Sequence, residues 1–200
     1  RVDWFLGDNY KMMKDKYDFL LFWTDATDPI IDYFAGFKVK KGVIITSDNG
    51  FPGNLSKYNV IYCESEPVKE KVESYGAKAI LAMGTDTDFF KPSSEMKKDI
   101  EYFYPATFSP WKRQRDIAYL GDKLLCVGTV QPDGIEDLET CRRNGVRIEE
   151  GYFPAETILN YYQRATHVVI PAVHGSERTV LEAFSCNILP EIINPNINRK

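Results

Sequence analysis

The stretch that decides the fold is HGSERTVLEAFSCNILP, residues 174–190. A short apolar run at residues 168–170 precedes it, and an amphipathic segment at residues 179–184 follows its glycine turn. An apolar strand, a glycine turn and a helix start in this order bring unpaired backbone N–H groups to the end of the strand. Such helix starts bind anions, above all phosphates. The stretch therefore predicts an anion site within a strand–helix unit.

The polar residues around the turn support this interpretation. Ser176 is the predicted N-cap of the helix. Arg178 and Glu182 are four residues apart, so they share one helix face, and a cation and a carboxylate would flank the anion. An ordinary strand–helix unit with one surface ion pair is the alternative for the same residues. The local features alone leave both interpretations open.

Short apolar strands alternate with helices along the whole chain. This alternation predicts an α/β fold with parallel sheets covered by helices. A polar stretch at residues 93–99 places a domain boundary near residue 96. The predicted strands lie at residues 17–23, 42–46, 59–63, 79–82, 102–108, 123–128, 146–148, 166–170 and 187–190, and the predicted helices at 28–36, 65–76, 116–120, 133–144, 155–165 and 179–184, with a helix or arm at 1–16.

The composition narrows the class of protein. A hydrophobic content of 44% with 27% charged residues is typical of a globular domain, and the net charge of -4 disfavours a general nucleic-acid binder. No apolar run reaches the length of a membrane span, and the first residues do not resemble a secretory signal. The cysteines are scattered without a CxxC spacing, which favours reduced thiols and a cytoplasmic location. They are Cys63, Cys126, Cys141 and Cys186.

In doubly wound sheets, ligands bind outside the carboxyl ends of the strands. In the second half of the chain those ends fall at residues 108–109, 128–129, 149–151 and 171–176. Cations together with helix-start amides suit a polyphosphate ligand. A solvated helix face is the alternative for the basic residues among them. The cations are Lys112, Arg113, Arg115 and Arg178.

Several of these residues together carry a family resemblance. The second half resembles the donor-binding lobe of retaining glycosyltransferases of the GT-B fold, family 4, whose signature is usually E-G-x-x-x-x-x-x-E-A with a proline further on. Glu182 matches its second acid, Pro190 its proline, and His174 stands where the first acid is expected. The turn Ser-Pro-Trp-Lys, which ends at Lys112, is similar to the family's basic loop. SEPVKEKVESYGAKAILAMGTDTDFFKP, residues 65–92, resembles the end of the acceptor lobe.

The resemblance, which spans about residues 59 to 190, implies a role for each matching residue. Glu182 would hold the ribose hydroxyls of a nucleotide sugar, and Lys112 would neutralise its diphosphate. The backbone amides at 178–180 would complete the phosphate site, and residues 151–153 would lie near the base. The expected donor site consists of Lys112, Gly151, Tyr152, Phe153, Gly175, Ser176, Arg178, Thr179, Val180 and Glu182.

His174 is the main departure from the family pattern. It would face the sugar, where the family's carboxylate bonds the sugar hydroxyls, and an imidazole lacks a carboxylate's two acceptor oxygens. Glu177, three residues on, is placed to supply them instead. The expected catalytic residues are therefore His174, Glu177 and Lys112. A turn residue without a ligand is the alternative for His174.

The resemblance also implies a mechanism. Transfer would proceed with retention at the anomeric carbon, and cations and amides would stabilise the leaving diphosphate. No cofactor, divalent metal or metal ligand is expected. Asp86-Thr87-Asp88 offers a D-x-D metal motif as an alternative, although its position directly before FFKP favours a connection between lobes.

The fold class expected from the resemblance is α/β with two Rossmann-like lobes of the GT-B type, the N-terminal one reduced. Residues 1–96 would form the acceptor-side lobe, and residues 97–200 would bind the nucleotide sugar. The family's N-terminal lobe is longer, begins with a Gly-rich loop and often carries a histidine, which residues 1–96 lack. We therefore expect either a compact member of the family or a truncated chain.

The expected function is that of a nucleotide-sugar-dependent glycosyltransferase. The donor would be a UDP- or GDP-linked sugar, and the acceptor a glycan, a lipid or a small molecule. No nucleic-acid partner is expected, while peripheral membrane contact and a homodimer stay open. A non-catalytic nucleotide- or sugar-binding module and a GT-B-type sugar-nucleotide epimerase are the alternatives.

Overall fold

The structure is a computed structural model that describes residues 17–24, 30–46, 55–82, 84–172 and 177–193 of the 200-residue chain. The chain divides into two compact units, Arg1–Met83 and Gly84–Lys200. The helix or arm predicted at residues 1–16 lies outside the described residues. In the described part of the chain, no helix is long and apolar enough to cross a membrane.

The first unit is a parallel sheet with helices in its connections. Its described strands follow the order β1-β2-β3-β4, so each strand pairs with the next one along the chain. Parallel neighbours of this kind need a crossover connection, because a tight hairpin can join only antiparallel strands. The elements are β1 (Phe19–Thr24), α1 (Ile30–Ala35), β2 (Lys40–Ile45), β3 (Val60–Cys63), α2 (Glu66–Ser74) and β4 (Ile80–Leu81).

The two faces of the first sheet differ in burial. Alternate residues of β1 point to opposite faces. Phe22 is buried, and its ring stacks on Phe34 of α1 with a centroid separation of 4.2 Å. On the opposite face, Phe19, Leu21 and Trp23 are 45%, 54% and 63% exposed. The core of this unit therefore lies on the face that carries α1 and α2.

The second unit is a larger parallel sheet. Its described strands follow the order β7-β6-β5-β8-β9, so the order reverses beside β5. Four successive residues of β6, 124–127, are buried, which is typical of a strand covered on both faces. The elements are β5 (Ile100–Pro105), β6 (Leu124–Gly128), α3 (Ile135–Arg143), β7 (Arg147–Glu150), α4 (Ala155–Arg164), β8 (Ala165–Ile170), α5 (Glu177–Ser185) and β9 (Glu191–Ile192).

The α/β class with two parallel Rossmann-like sheets is confirmed, but three elements differ from their prediction. β5 runs from Ile100 to Pro105, and beyond it the pairing continues only as an isolated parallel bridge between Phe108 and Val130. The segment Gln114–Lys123 forms 3₁₀ turns with a kink at Gly121 rather than an α-helix. The last described strand is Glu191–Ile192, not residues 187–190.

The segment that enters the second unit packs onto its core. Phe90 is buried, and its ring lies edge-on to Tyr162 of α4 with a centroid separation of 6.0 Å. Gln163 Nε2 donates a hydrogen bond to the carbonyl of Lys91 at 3.0 Å. The division between units after residue 83 thus lies thirteen residues before the boundary predicted at residue 96, because residues 84–96 belong to the second unit.

Candidate functional site

The carboxyl ends of β5, β6, β7 and β8 lie at one edge of the second sheet, because all four strands are parallel. Two glycines bring the main chain of neighbouring loops into direct contact there. A Cβ on Gly128 would lie 2.4 Å from the Ala106 carbonyl oxygen, and one on Gly134 would lie 2.0 Å from the Phe108 carbonyl oxygen. No larger residue fits these positions without moving the loop that follows β5.

That loop carries Lys112, the lysine predicted to meet a diphosphate. The Tyr104 hydroxyl donates to the Lys112 carbonyl at 3.1 Å. The fully buried Gln114 side chain donates from Nε2 to the carbonyls of Ala106 and Thr107, at 3.2 and 2.9 Å. These bonds fix the backbone of the loop on both sides of Lys112. The lysine is thereby positioned at the carboxyl end of the sheet by buried partners.

Helix α5 supplies the predicted amides and the predicted ribose ligand. Arg178, Thr179 and Val180 belong to its first turn, where backbone N–H groups lack intrahelical acceptors. The Thr179 hydroxyl lies 3.5 Å from the Pro105 carbonyl, which ties this turn to the end of β5. Glu182 follows in the second turn and is 8% exposed.

The Glu182 carboxylate has a buried partner on the neighbouring helix. The Tyr162 hydroxyl donates to Glu182 Oε2 at 3.0 Å and lies 3.4 Å from the Thr179 carbonyl, so the bond to the carboxylate is the stronger of the two. Burial raises the pKa of Glu182, whereas the Tyr162 hydrogen bond and the charge of Arg178 oppose that rise. Burial, and then Glu182, raise the pKa of Tyr162, so the tyrosine stays protonated and remains the donor.

The other two predicted cations contact carboxylates of their own surroundings. Arg113 Nε lies 2.7 Å from Asp116 Oδ2, and Arg115 lies within ion-pair distance of Glu136 and Asp137, at 3.5 and 3.8 Å. A polyphosphate would have to compete with these ion pairs, and the role of both arginines in the site stays a prediction. The partners of Arg115 lie on α3 and are distant in sequence, so local spacing could not show them, whereas Asp116 is only three residues from Arg113.

The region predicted to lie near a base follows β7. Gly151 adopts a φ of 137°, which favours glycine, and its N–H donates to the Gly128 carbonyl at 3.0 Å. Tyr152 is 91% exposed, whereas Phe153 is half-buried against Tyr161, with ring centroids 6.4 Å apart. An exposed aromatic ring is thus available at this end of the sheet.

The predicted sugar-facing residues fall beyond what the structure describes. His174, Gly175 and Ser176 lie outside the described residues. Glu177 is the first residue of α5, and its side chain is also outside the described part. The roles predicted for these four residues stay predictions.

The carboxylate of Asp86, the first residue of the D-x-D alternative, accepts hydrogen bonds from the backbone of its own turn. Its Oδ1 accepts the backbone N–H groups of Asp88 and Phe89 at 3.0 and 3.1 Å. Across the described ranges, no group of three or more His, Cys, Asp or Glu side chains could hold a metal ion. The absence of a metal requirement remains a prediction.

Several residues that shape the site were not singled out in the sequence. In the sequence, Tyr162 is only an apolar position of a predicted helix, Gln114 a polar loop residue, and Gly134 a residue of the helix predicted at 133–144. Their partners are 20, 8 and 26 residues away, so no local pattern marks them. A buried tyrosine hydroxyl requires a partner, which is the one general signal for Tyr162.

No family model and no curated protein matches this chain. Solved structures do match it, at 8–14% identity. The pneumococcal O-GlcNAc transferase GtfA in complex with UDP and GlcNAc matches with a TM-score of 0.60, over 88% of this chain and 42% of its own, at 10% identity. TarM matches with a TM-score of 0.64, over 91% and 42%, at 12% identity.

A third similar structure contains nucleic acid. It is α-glucosyltransferase in complex with UDP and a 13-mer DNA, with a TM-score of 0.58 over 89% of this chain and 61% of its own, at 13% identity. The chain thus spans about two fifths to three fifths of the length of these three structures. At this identity the comparisons establish the fold, which is the GT-B type with Rossmann-like lobes.

Proposed function

We propose that this chain is a glycosyltransferase that binds a nucleotide sugar at the carboxyl edge of the second sheet. The fold supports the class, and two of the three structures described above are complexes with UDP. Residues 97–200 would provide the donor site and residues 1–96 the acceptor side. The entering segment 84–96 packs with the donor unit.

One observation carries the proposal. Glu182 is a buried carboxylate in the second turn of α5, held by Tyr162, on the helix whose first turn is tied to the end of β5. A structural carboxylate at this depth is uncommon, because burial disfavours its charged form. A polar ligand whose hydroxyls bond the carboxylate would account for its position. The ribose of a nucleotide sugar is such a ligand.

The proposed chemistry uses groups from the loop after β5 and from the start of α5. Lys112 and the first-turn amides of α5 would stabilise the charge that develops on the leaving diphosphate. His174 would face the sugar, and Glu177 would supply the carboxylate that the family pattern places at position 174. We propose retention at the anomeric carbon and independence from divalent metal. The anomeric configuration of the product, read by NMR, and activity in EDTA test these two points.

Nucleotide binding is the first experiment. UDP-, GDP- and ADP-glucose are titrated into the chain by calorimetry, and we expect one base to bind more tightly than the others. Lys112→Ala should weaken binding about tenfold to a hundredfold, since it removes charge-assisted bonds. Lys123→Ala is the matched control, because Lys123 precedes β6 at the opposite edge, where it contacts Glu101. Absence of binding by every nucleotide contradicts the donor site.

The comparison of two glutamates tests the ribose assignment. Glu182→Ala should weaken binding more than Glu177→Ala does, because only Glu182 is proposed to hold the ribose. The reverse order would mean that the ribose ligand has been assigned to the wrong residue.

A non-catalytic binding module is the second candidate, favoured by the histidine at position 174 where the family pattern has an acid. It predicts that a nucleotide sugar binds and is never consumed. An epimerase of the same fold would instead release an altered sugar nucleotide without an acceptor. Incubation with the preferred donor, with and without acceptors, separates the three. Only a transferase loses turnover in both Glu182→Ala and Lys112→Ala and requires an acceptor.

The acceptor panel contains a glycan, a lipid, a small alcohol and DNA. The net charge of -4 supports a partner other than nucleic acid. A DNA arm is included because one similar structure contains DNA. Transfer to DNA would contradict our expectation that nucleic acid is not a partner.

A further inference from the structure

We propose that Tyr162 is a positioning residue for the nucleotide site: its buried hydroxyl sets the orientation of the Glu182 carboxylate toward the ribose. The inference rests on the proposed function, and it assigns a role to a residue on a neighbouring helix. Its basis is the 3.0 Å hydrogen bond from Tyr162 Oη to Glu182 Oε2. The two residues are 20 positions apart in the chain, on α4 and α5.

The tyrosine ring is held rigidly, so its hydroxyl has a defined position. The side chain of Tyr162 is fully buried. Its ring contacts Phe103 of β5 edge-on at 5.2 Å and Phe90 of the entering segment edge-on at 6.0 Å. A ring packed on two others has little rotational freedom. The hydroxyl therefore acts as a fixed donor.

A fixed hydrogen-bond donor at Oε2 of Glu182 also restricts the direction in which Oε1 points. While Oε2 accepts from Tyr162, rotation of the carboxylate would break a charge-assisted bond, which is among the stronger hydrogen bonds in proteins. Oε1 is thus held in one direction. A pre-oriented acceptor loses less entropy when a ligand hydroxyl binds.

The same bond maintains the charged form of Glu182. Burial raises the pKa of this carboxyl, and the Tyr162 hydroxyl and Arg178 lower it. Cys186, directly after α5, is a further titratable group that interacts with Glu182. Removal of the Tyr162 hydroxyl would therefore raise the pKa of Glu182 further. Ribose hydroxyls donate to the carboxylate, so a protonated Glu182 is a weaker acceptor.

The test pairs a side-chain change with a ligand change. Tyr162→Phe keeps the ring and removes the hydroxyl. UDP and GDP are compared with their 2′,3′-dideoxy counterparts by calorimetry. We expect Tyr162→Phe to weaken binding of the ribose nucleotides about tenfold and to leave the dideoxy nucleotides within about twofold of wild type. Tyr161→Phe is the matched control, since this adjacent tyrosine on α4 donates to Glu149 instead. It should leave all four affinities within about twofold.

A pH profile gives a second readout that packing alone would not move. The affinity of both proteins for the ribose nucleotide should fall as the solution is acidified and Glu182 becomes protonated. Because the Glu182 pKa is higher in Tyr162→Phe, its affinity should begin to fall at a higher pH than the affinity of wild type. If Tyr162→Phe unfolds because the buried Glu182 carboxylate loses its partner, nucleotide affinity is instead compared between Glu182→Gln and the double variant Glu182→Gln, Tyr162→Phe. The side chain at position 182 is neutral in both proteins. There Tyr162→Phe should change ribose-nucleotide affinity by less than about twofold.

Each remaining outcome has a defined meaning. If Tyr162→Phe weakens the binding of ribose and dideoxy nucleotides equally, Tyr162 only stabilises the fold. This result would overturn the inference and leave the proposed donor site intact. Wild-type protein that binds dideoxy and ribose nucleotides equally would remove the ribose role of Glu182 and the inference with it. Wild-type protein that binds none of the four and no ADP-glucose either would overturn the proposed function itself.

Discussion

Gly134→Ala tests whether the loop after β5 is set by direct contact of two main chains. A Cβ at this position would lie 2.0 Å from the Phe108 carbonyl oxygen, 2.4 Å from its carbonyl carbon and 2.9 Å from the Ser109 nitrogen. Since carbon and oxygen normally approach to somewhat over 3 Å, the loop or α3 must move by roughly 1 Å. The movement also strains the bond from the Gln131 N–H to the Phe108 carbonyl, 3.1 Å in length.

The expected cost follows from these contacts. Overpacking of a well-packed site costs about 1–3 kcal/mol, and a weakened hydrogen bond costs about 1 kcal/mol. A small gain comes from the lower entropy of the unfolded alanine chain, about 0.4–1 kcal/mol. We expect the free energy of unfolding of the second unit to fall by about 2 kcal/mol.

The measurement is hydrogen exchange of the β6 amides, which report opening of the second unit, together with nucleotide affinity. Gly84→Ala is the matched control, because no atom lies within 4 Å of a Cβ there. The displaced loop leads to Lys112, so Gly134→Ala should also weaken nucleotide binding. A Gly134→Ala protein within about 0.5 kcal/mol of Gly84→Ala, the range of ordinary surface changes, refutes the reasoning.

Three further predictions concern other parts of the molecule. Tyr58→Phe removes the bond from the buried Tyr58 hydroxyl to the Ile31 carbonyl, 2.7 Å in length, and should destabilise the first unit by about 1 kcal/mol in urea denaturation; no change would mean that water replaces the bond. Asp86→Ala should lower the thermal midpoint more than Asp86→Asn, because asparagine retains an acceptor for the turn amides, whereas equal effects would contradict the turn role. Burial raises the pKa of Cys63 to about 11 and that of Cys186 to about 11. In the unfolded chain these thiols ionise near pH 9, so their contribution to stability is full below that pH and is lost as the pH rises toward 11. Denaturation midpoints measured from pH 8 to 11 should therefore fall, and a flat profile would refute the assignment.

The fold was largely predictable because strands buried on both faces have near-continuous apolar sequences. Residues 123–128 and 166–170 were predicted as strands, and the structure places β6 and β8 within one residue of them. The Gly-ended helix at residues 65–76 was also predictable, and Gly76 does adopt a positive φ of 78°. Local pattern fails where the backbone has no strong period, as in the 3₁₀ turns of Gln114–Lys123.

The candidate site was only partly predictable. The spacing within residues 174–190 indicated an anion site and gave Glu182 a place on a helix, which the structure confirms as part of α5. The contact between Glu182 and Tyr162, and the ion pair of Arg115 with Asp137, depend on how distant elements pack. A one-dimensional pattern contains no information about which helix lies beside which.

The exposed face of β1 has a consequence for handling the protein. Its sequence, FLLFWT, is uncharged and free of proline, and among the described strands it pairs only with β2. A six-residue apolar edge of this kind is a template for intermolecular β pairing and amyloid-like growth. The β7 edge of the other sheet, with Arg147, Glu149 and Glu150, is protected by charge. We therefore expect β1 to limit solubility at high concentration, and Trp23→Lys is the first change that should raise it.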